Sequence, residues 1–186
     1  MFRPFLALLA TAALPAAATS QTTSGAELWN ASSQGDACMV TSSDSGSQTV
    51  LSIMAAPTDG AFIFLVQNPA WQSLEDGAAY PVAVEFDDFG PWQIQASARE
   101  NIDADGPGLA FTVAPSREDG NGFIQEMVKA SSMEIVANGA TVGTLSVAGS
   151  EKAMQELARC MAKSWAGLSE DGAEVQAASD TPATPL

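Results

Sequence analysis

The stretch AYPVAVEFDDFGPWQIQASAR, residues 79 to 99, contains two runs of alternating side chains around a central break. Large apolar residues occupy every second position from Tyr80 to Phe86, and a second alternating run extends from Trp92 to Arg99. Period-two alternation is typical of a strand with one buried face and one face in water. Residues 87–91 carry Asp, Gly and Pro, which favour a turn. The stretch therefore predicts two strands of an antiparallel sheet.

Further short strands are predicted on both sides of this stretch. Weaker patterns cover residues 38–42 and 49–56, and a clear alternation extends from Leu109 to Val113. Residues 61–66, AFIFLV, are apolar throughout. In so short a run this pattern indicates a central strand that is covered on both faces.

The C-terminal third changes to helical spacing. Apolar residues three and four positions apart predict a helix over about 121–131, with Asn121 as its N-cap. Asn138-Gly139 predicts a two-residue hairpin turn, and a last helix is expected to begin with Ser150 as its cap. The two helices are the candidates to cover the apolar strand at 61–66. The predicted fold class is α+β, an antiparallel meander-like sheet covered by two C-terminal helices.

The two ends of the chain differ in composition from its middle. Residues 1–20 combine the basic Arg3, a short apolar run and small residues up to Ser20, which predicts a secretory signal peptide. No later apolar run reaches the roughly 20 residues that a membrane-spanning helix needs. Residues 21–166 are expected to form one α+β domain, and residues 167–186 a disordered acidic tail. We therefore expect a bacterial protein that is periplasmic or secreted.

The chain contains two cysteines, Cys38 and Cys160. In an oxidising compartment a small, even number of cysteines is usually paired. A catalytic thiolate is the alternative, but the sequence has no C-x-x-C motif and no histidine that could activate a thiol. The sequence therefore predicts one disulfide, Cys38 to Cys160, which ties the first predicted strand to the last helix.

The charge balance excludes some classes of partner. The chain has 7 Lys and Arg residues against 22 Asp and Glu residues, a net charge of −15. After Arg3 the basic residues are scattered from Arg99 to Lys163 without a cluster. Nucleic-acid binding requires basic side chains that neutralise phosphates, so this function is not expected. Membrane insertion is not expected either, because no apolar run is long enough. An acidic surface suits either simple solubility or a cationic partner.

The absence of histidine limits the catalytic options. It excludes Ser-His-Asp and Cys-His catalysis and removes the commonest zinc ligand. A pair of carboxylates remains: Asp87 and Asp88, beside Trp92, could form a sugar-binding cleft with an acid and a base. The alternative is a charged turn between two strands. No catalytic residue is assigned, and the sequence favours a protein that is not an enzyme.

Residues 101–106 resemble half of a calcium-binding loop. Asn101, Asp103 and Asp105 offer oxygen ligands at positions 1, 3 and 5, and Gly106 follows at position 6. Position 12 is Thr112, where an EF-hand requires a glutamate. A calcium turn of another type and a plain acidic connection between strands both stay open, and no other cofactor is expected.

Three segments in this order carry a resemblance to a known family: CMVTSS at 38–43, FLVQNPAWQSLEDGAAYPVAVEFDD at 64–88 and TLSVAGSEKAMQELARC at 144–160. The chain resembles small secreted or periplasmic proteins of proteobacteria and is distantly similar to the invasion-associated locus B family. The resemblance covers about residues 29–160, departs from that family in having fewer cysteines, and implies no catalytic residue.

Two functional classes follow from these observations. The first is a non-catalytic secreted or periplasmic binding or accessory module, with a protein partner in the cell envelope. It would act through a sheet edge or through the loop that carries Trp71. The alternative is a carboxylate-based carbohydrate-active enzyme or a glycan-binding domain that uses Asp87, Asp88 and Trp92.

Overall fold

Nine strands form one antiparallel sheet with two helices in the computed structural model, which describes residues 28–34, 36–55, 60–100 and 106–176, with side chains to Ser164 in the last helix. The predicted signal peptide lies outside the described residues. In chain order the elements are β1 (Trp29–Gln34), β2 (Ala37–Asp44), β3 (Thr49–Ala55), β4 (Phe62–Gln67), β5 (Ala79–Phe86), β6 (Phe89–Arg99), β7 (Gly108–Val113), α1 (Glu118–Lys129), β8 (Ser132–Ala137), β9 (Ala140–Ser146) and α2 (Ser150–Gln176).

The strand order in the sheet is β1-β2-β3-β4-β7-β6-β5-β8-β9. Most neighbours in the sheet are also neighbours in the chain, as in a meander. The pairs β4–β7 and β5–β8 are the exceptions. After β4 the chain crosses to β5 and returns through β6 to β7, so these three strands are inserted in reverse order. The predicted α+β class with an antiparallel sheet and one disulfide is confirmed.

The sheet curls so that its last strand comes close to its second and third strands. The Ser47 hydroxyl, after β2, donates a hydrogen bond of 2.6 Å to the carbonyl oxygen of Thr144 in β9. The Ser42 hydroxyl of β2 donates one of 3.4 Å to the carbonyl oxygen of Ser146. Strand β9 contacts both β2 and β3. The concave face of the curled sheet encloses the apolar core.

The core is centred on Phe123 of α1, which is 2% exposed. Its ring makes edge-to-face contacts with Phe64, Phe86, Trp92 and Phe111, at centroid distances of 4.9 to 6.1 Å. These four residues come from β4, β5, β6 and β7. Edge-to-face pairs add stability beyond the burial of their area. One helical side chain therefore joins four neighbouring strands.

Two strands differ from the sequence prediction. Strand β1 is not predicted, because its sequence WNASSQ has no alternation of apolar residues. Strand β4 is buried at Phe64 and Val66, but Ile63 is 37% exposed. Leu65, on the same face as Ile63, is 6% exposed, so the prediction that β4 is covered on both faces holds at Leu65 and is wrong at Ile63.

Helix α1 begins at Glu118, so the prediction that Asn121 is its N-cap is wrong. The residue before the helix, Arg117, makes no side-chain cap hydrogen bond. The helix begins early because Gly120 packs against the chain that leaves β7. A Cβ atom at Gly120 would lie 2.1 Å from the carbonyl oxygen of Ala114. Only glycine allows this close contact, which fixes the start of the helix at the end of the sheet.

Helix α2 begins at Ser150, but the predicted capping role of this serine is wrong. Its hydroxyl is buried and donates a 3.0 Å hydrogen bond to the carbonyl oxygen of Met127, in the last turn of α1. The serine thus adds a hydrogen bond to one of the last carbonyl groups of the other helix, which also accepts from the N–H of Ala130. Helix α2 extends to Gln176, past residue 167, where the predicted tail begins; the division into domain and tail stays a prediction. The rest of the predicted tail lies outside the described residues.

The disulfide joins Cys38 of β2 to Cys160 of α2, as predicted, with their Cα atoms 5.9 Å apart. Cys38 is fully buried. Helix α2 contacts β1, β2 and α1, so the bond holds this helix against one end of the sheet. In the part of the chain that the structure describes, neither helix combines the length and apolar character that crossing a membrane would require.

Candidate binding groove

Strands β6 and β7 are paired over only part of their length. Their ladder contains three residue pairs, from Ser97 with Ala110 to Arg99 with Gly108. Strand β6 has 11 residues and β7 has 6, and the two separate on the N-terminal side of Ser97. A groove of about 400 Å³ lies in the gap. We call it the β6–β7 groove; it is lined by residues 92–95 and 111–114 and by Arg117, Asp119, Gly120 and Phe123.

The backbone of β6 presents hydrogen-bonding groups to this groove. Ala98 donates to the carbonyl oxygen of Ala78 and accepts from the N–H of Gly77, so both of its backbone groups point towards β5. Backbone groups alternate between the two sides of a strand. The N–H and C=O groups of Gln95 and Gln93 therefore point the other way, into the groove. Within the described part of the chain, no strand pairs with them there.

The groove exists because β7 diverges from β6 after Ala110 and then leads into a helix. The last residue of β7 is Val113, and a turn follows in which the N–H of Arg117 donates to the carbonyl oxygen of Ala114. By alternation from Ala110, the backbone groups of Thr112 also point towards β6. The contact between Gly120 and Ala114 holds the start of α1 at the end of the groove. The β7 side of the groove is therefore formed by backbone whose position is fixed by the turn after β7 and by the start of α1.

The floor of the groove is apolar. It is formed by the core residues Phe111 and Phe123, and Ile94 of β6 is half-buried beside them. Exposed polar side chains, Gln93, Gln95 and Thr112, form the rim. An apolar floor with polar groups at the rim is the usual composition of a binding cleft.

Trp92 is fixed at the α1 end of the groove. Its Nε1–H donates a 2.5 Å hydrogen bond to Oε2 of Glu126 on α1. A Cβ atom at Gly122 would lie 3.0 Å from the indole ring, so the ring packs closely against the helix. The indole ring is half-buried and also contacts Phe123. The structure therefore brings Trp92 into the groove, as part of its wall.

The charges at the α1 end of the groove are mainly acidic. Here a shallow depression of about 690 Å³, lined by Trp92, Arg117, Glu118, Asp119 and Gly122, continues the groove. The guanidinium Nε of Arg117 lies 3.9 Å from a carboxylate oxygen of Asp119, and both side chains are exposed. Such an exposed ion pair contributes at most about 1 kcal/mol. The carboxylates of Glu118 and Asp119 outnumber the guanidinium of Arg117, so this end of the groove favours a positively charged ligand.

The sequence-predicted carboxylates have a different environment. Asp87 lies in the turn between β5 and β6, and its carboxylate accepts hydrogen bonds from Ser131 N–H and from both the N–H and the hydroxyl of Ser132, at 2.7 to 2.9 Å. The backbone hydrogen bond from Ser131, and next the Ser132 hydroxyl, lower the pKa of the Asp87 carboxyl. Asp88 is exposed. Asp87 thus joins the β5–β6 turn to Ser131 and to the first residue of β8.

Trp71 packs within the domain. Its Nε1–H donates a 3.0 Å hydrogen bond to the carbonyl oxygen of Val142 in β9, and its ring lies against Gly143. The loop is anchored by the buried Asn68, whose side-chain amide donates to the hydroxyl of Thr49. Trp71 does not line the β6–β7 groove. The structure therefore separates two of the residues predicted to bind a partner, Trp71 and Trp92.

The predicted calcium ligands Asn101, Asp103 and Asp105 lie outside the described residues. Among the residues that the structure does describe, no three His, Cys, Asp or Glu side chains are grouped so that they could hold a metal ion. The calcium hypothesis stays a prediction.

Sequence reasoning did not identify the β6–β7 groove. Gln93 and Gln95 look like the ordinary wet side of a strand, and Phe123 looks like one helical core residue among several. One signal was present: the alternating run at Leu109 to Val113 is much shorter than the segment from Phe89 to Arg99. Without the strand order, that difference in length does not show that the two strands are neighbours.

Comparisons with protein-family models, with curated proteins and with solved structures gave no match. The resemblance to the invasion-associated locus B family therefore stays a prediction.

Proposed function

We propose that this protein is a non-catalytic binding module that acts in the periplasm or outside the cell and takes a segment of a partner protein into the β6–β7 groove. The observation that carries the proposal is the end of the β6–β7 ladder at Ser97 and Ala110, which leaves an apolar cleft bordered by backbone groups that pair with no strand among the described residues. The disulfide supports an oxidising compartment, since such bonds persist mainly there.

The chemistry of the groove supports binding over catalysis. The side chains that line the groove itself include one carboxylate, Asp119, which lies beside Arg117. Hydrolysis of a glycosidic bond would need two carboxylates on opposite sides of the bond. Asp87, which the carbohydrate hypothesis used, accepts three hydrogen bonds within the domain. An extended cleft with an apolar floor suits a peptide better than a reaction centre.

A capture experiment tests this proposal. The oxidised protein and two variants, Thr112→Trp and Thr144→Trp, are immobilised and exposed to the envelope fraction of the source cell. Thr112 lines the groove, and Thr144 is an exposed strand residue on β9. The added indole at position 112 should obstruct the groove, whereas the same change at position 144 should leave it open.

We expect a partner protein that the wild type and Thr144→Trp retain and that Thr112→Trp loses. Circular dichroism and thermal melting establish that both variants are folded. Capture that Thr112→Trp does not change would contradict the proposal, and so would the absence of any captured protein.

A further inference from the structure

We infer that the β6–β7 groove binds an extended segment as an added strand on the open edge of β6, with a basic residue of that segment at the α1 end. This inference rests on the proposed function and names the chemistry of the partner. It combines three features of the groove: the direction of its backbone groups, the composition of its two sides and the charge at its end.

The backbone of β6 already has the geometry that an added strand needs. Residues from Trp92 to Ser97 are held straight by their ladder with β5, in which Ile94 pairs with Val82. The groups of Gln93 and Gln95 that face the groove are therefore fixed in direction before a ligand arrives. Four residues of β6 span roughly 13 Å, enough for three or four ligand residues. Strand addition uses such a row of free donors and acceptors.

Side chains on an added strand would alternate between two environments. One set would point towards the apolar floor at Phe123 and Ile94, and the other would point outwards beside Gln93 and Gln95. Successive side chains of a strand lie on opposite faces. The bound segment should therefore alternate apolar and polar residues, and it should lack proline, which cannot donate to the ladder.

The acidic side chains at the α1 end of the groove favour a positively charged residue in the ligand. Glu118 and Asp119 are exposed there, and the Glu126 carboxylate is bound to the Trp92 indole in the adjoining wall. Arg117 is the basic residue at this end. The whole chain is also acidic, with a net charge of −15. Complementary charge raises both specificity and the rate of association, so a Lys or Arg in the segment should lie at this end.

Selection from a random heptapeptide library displayed on phage tests the inference without knowledge of the partner. The immobilised oxidised protein is the target, and phage that also bind Thr112→Trp are removed first. We expect the remaining peptides to alternate apolar and polar residues, to carry a Lys or Arg and to lack a central proline. They should bind Thr144→Trp as well as the wild type.

N-methylation of an enriched peptide tests strand pairing itself. Each amide is methylated in turn, which removes one donor and leaves the side chains unchanged. On an added strand only every second amide faces β6. We therefore expect binding to weaken at least tenfold at alternate positions and less than threefold at the positions between them.

A charge reversal tests the position of the basic residue. The protein variant Glu118→Lys should bind a basic peptide at least fivefold more weakly than the wild type does. It should instead prefer the same peptide with its lysine replaced by glutamate. The control is Glu151→Lys, since Glu151 is an exposed acidic residue in the first turn of the other helix.

The possible results separate the inference from the proposed function. Groove-dependent peptides without alternation, or without sensitivity to N-methylation at every second amide, would overturn strand addition and leave a binding groove in place. An unchanged preference in Glu118→Lys would overturn the charge assignment. A library with no peptides that depend on Thr112 would overturn both the inference and the proposed function.

Discussion

Replacement of Phe123 by alanine should destabilise the whole domain, because this ring joins the helix to four strands. Phe123 is 2% exposed and has aromatic neighbours in β4, β5, β6 and β7. Truncation of a buried phenylalanine to alanine costs about 3–5 kcal/mol. Each edge-to-face contact contributes about 0.5–1.5 kcal/mol beyond burial. Since the four contacts share one ring, we expect a loss of about 4–5 kcal/mol, near the top of the range for such substitutions.

Urea denaturation followed by tryptophan fluorescence measures this loss. With a slope of about 2 kcal/mol per molar urea, the midpoint should fall by about 2 M. Phe89→Ala is the matched control, because Phe89 is the first residue of β6 and its side chain is 45% exposed. The control should change the free energy of unfolding by less than about 1 kcal/mol.

A loss below about 1.5 kcal/mol for Phe123→Ala would refute this reasoning, since the contacts of Phe123 would then contribute less than a typical core phenylalanine. A loss in Phe89→Ala as large as that in Phe123→Ala would also refute it. In that case the contacts between α1 and the sheet would not contribute more to the free energy of unfolding than an exposed side chain does.

Two further predictions concern the disulfide and Asp87. Reduction of the Cys38–Cys160 bond, which closes a separation of 122 residues, should lower the free energy of unfolding by up to about 5 kcal/mol, measured by urea denaturation with and without reductant; an unchanged midpoint would contradict the role of the bond. Asp87→Asn should lower stability at neutral pH, because the hydrogen bonds from Ser131 and Ser132 depress the pKa of the folded carboxyl below its ordinary value. The difference from wild type, measured in thermal melts, should be full above the unfolded-state pKa and disappear as the pH falls through the lower folded pKa. A difference that does not shrink as the solution is acidified would contradict this assignment.

The sequence predicted those strands and turns whose residues form a clear local pattern. The alternation at Tyr80 to Phe86 and at Trp92 to Arg99 corresponds to β5 and to most of β6. The dipeptide Asn138-Gly139 forms the hairpin turn between β8 and β9, with both residues at positive φ. The disulfide followed from the count of cysteines and the predicted compartment. Each of these features can be predicted from a few neighbouring residues or from the number of residues of one type.

The features that the sequence did not predict depend on contacts between distant segments. The hydroxyl of Ser150 looks like a helix cap, but its partner, the Met127 carbonyl, belongs to the other helix. Asn121 looks like a helix start, but the contact of Gly120 with Ala114 moves the start of the helix. The groove needs β6 beside β7, which follows from the reversed order of three strands. No periodicity along the chain encodes that order.

Amide hydrogen exchange in the free, oxidised protein tests the open edge of β6 most directly. The N–H groups of Ile94 and Ala96 belong to the ladder with β5, whereas those of Gln93 and Gln95 face the groove. An amide bonded in a central ladder exchanges only when the structure opens. Residue-resolved exchange by NMR compares the four amides within one strand.

The structure predicts slow exchange at Ile94 and Ala96 and exchange at least a hundredfold faster at Gln93 and Gln95. Equal protection at all four residues would show that this side of β6 is already paired. The β6–β7 groove would then be closed, and the proposed binding site would be contradicted.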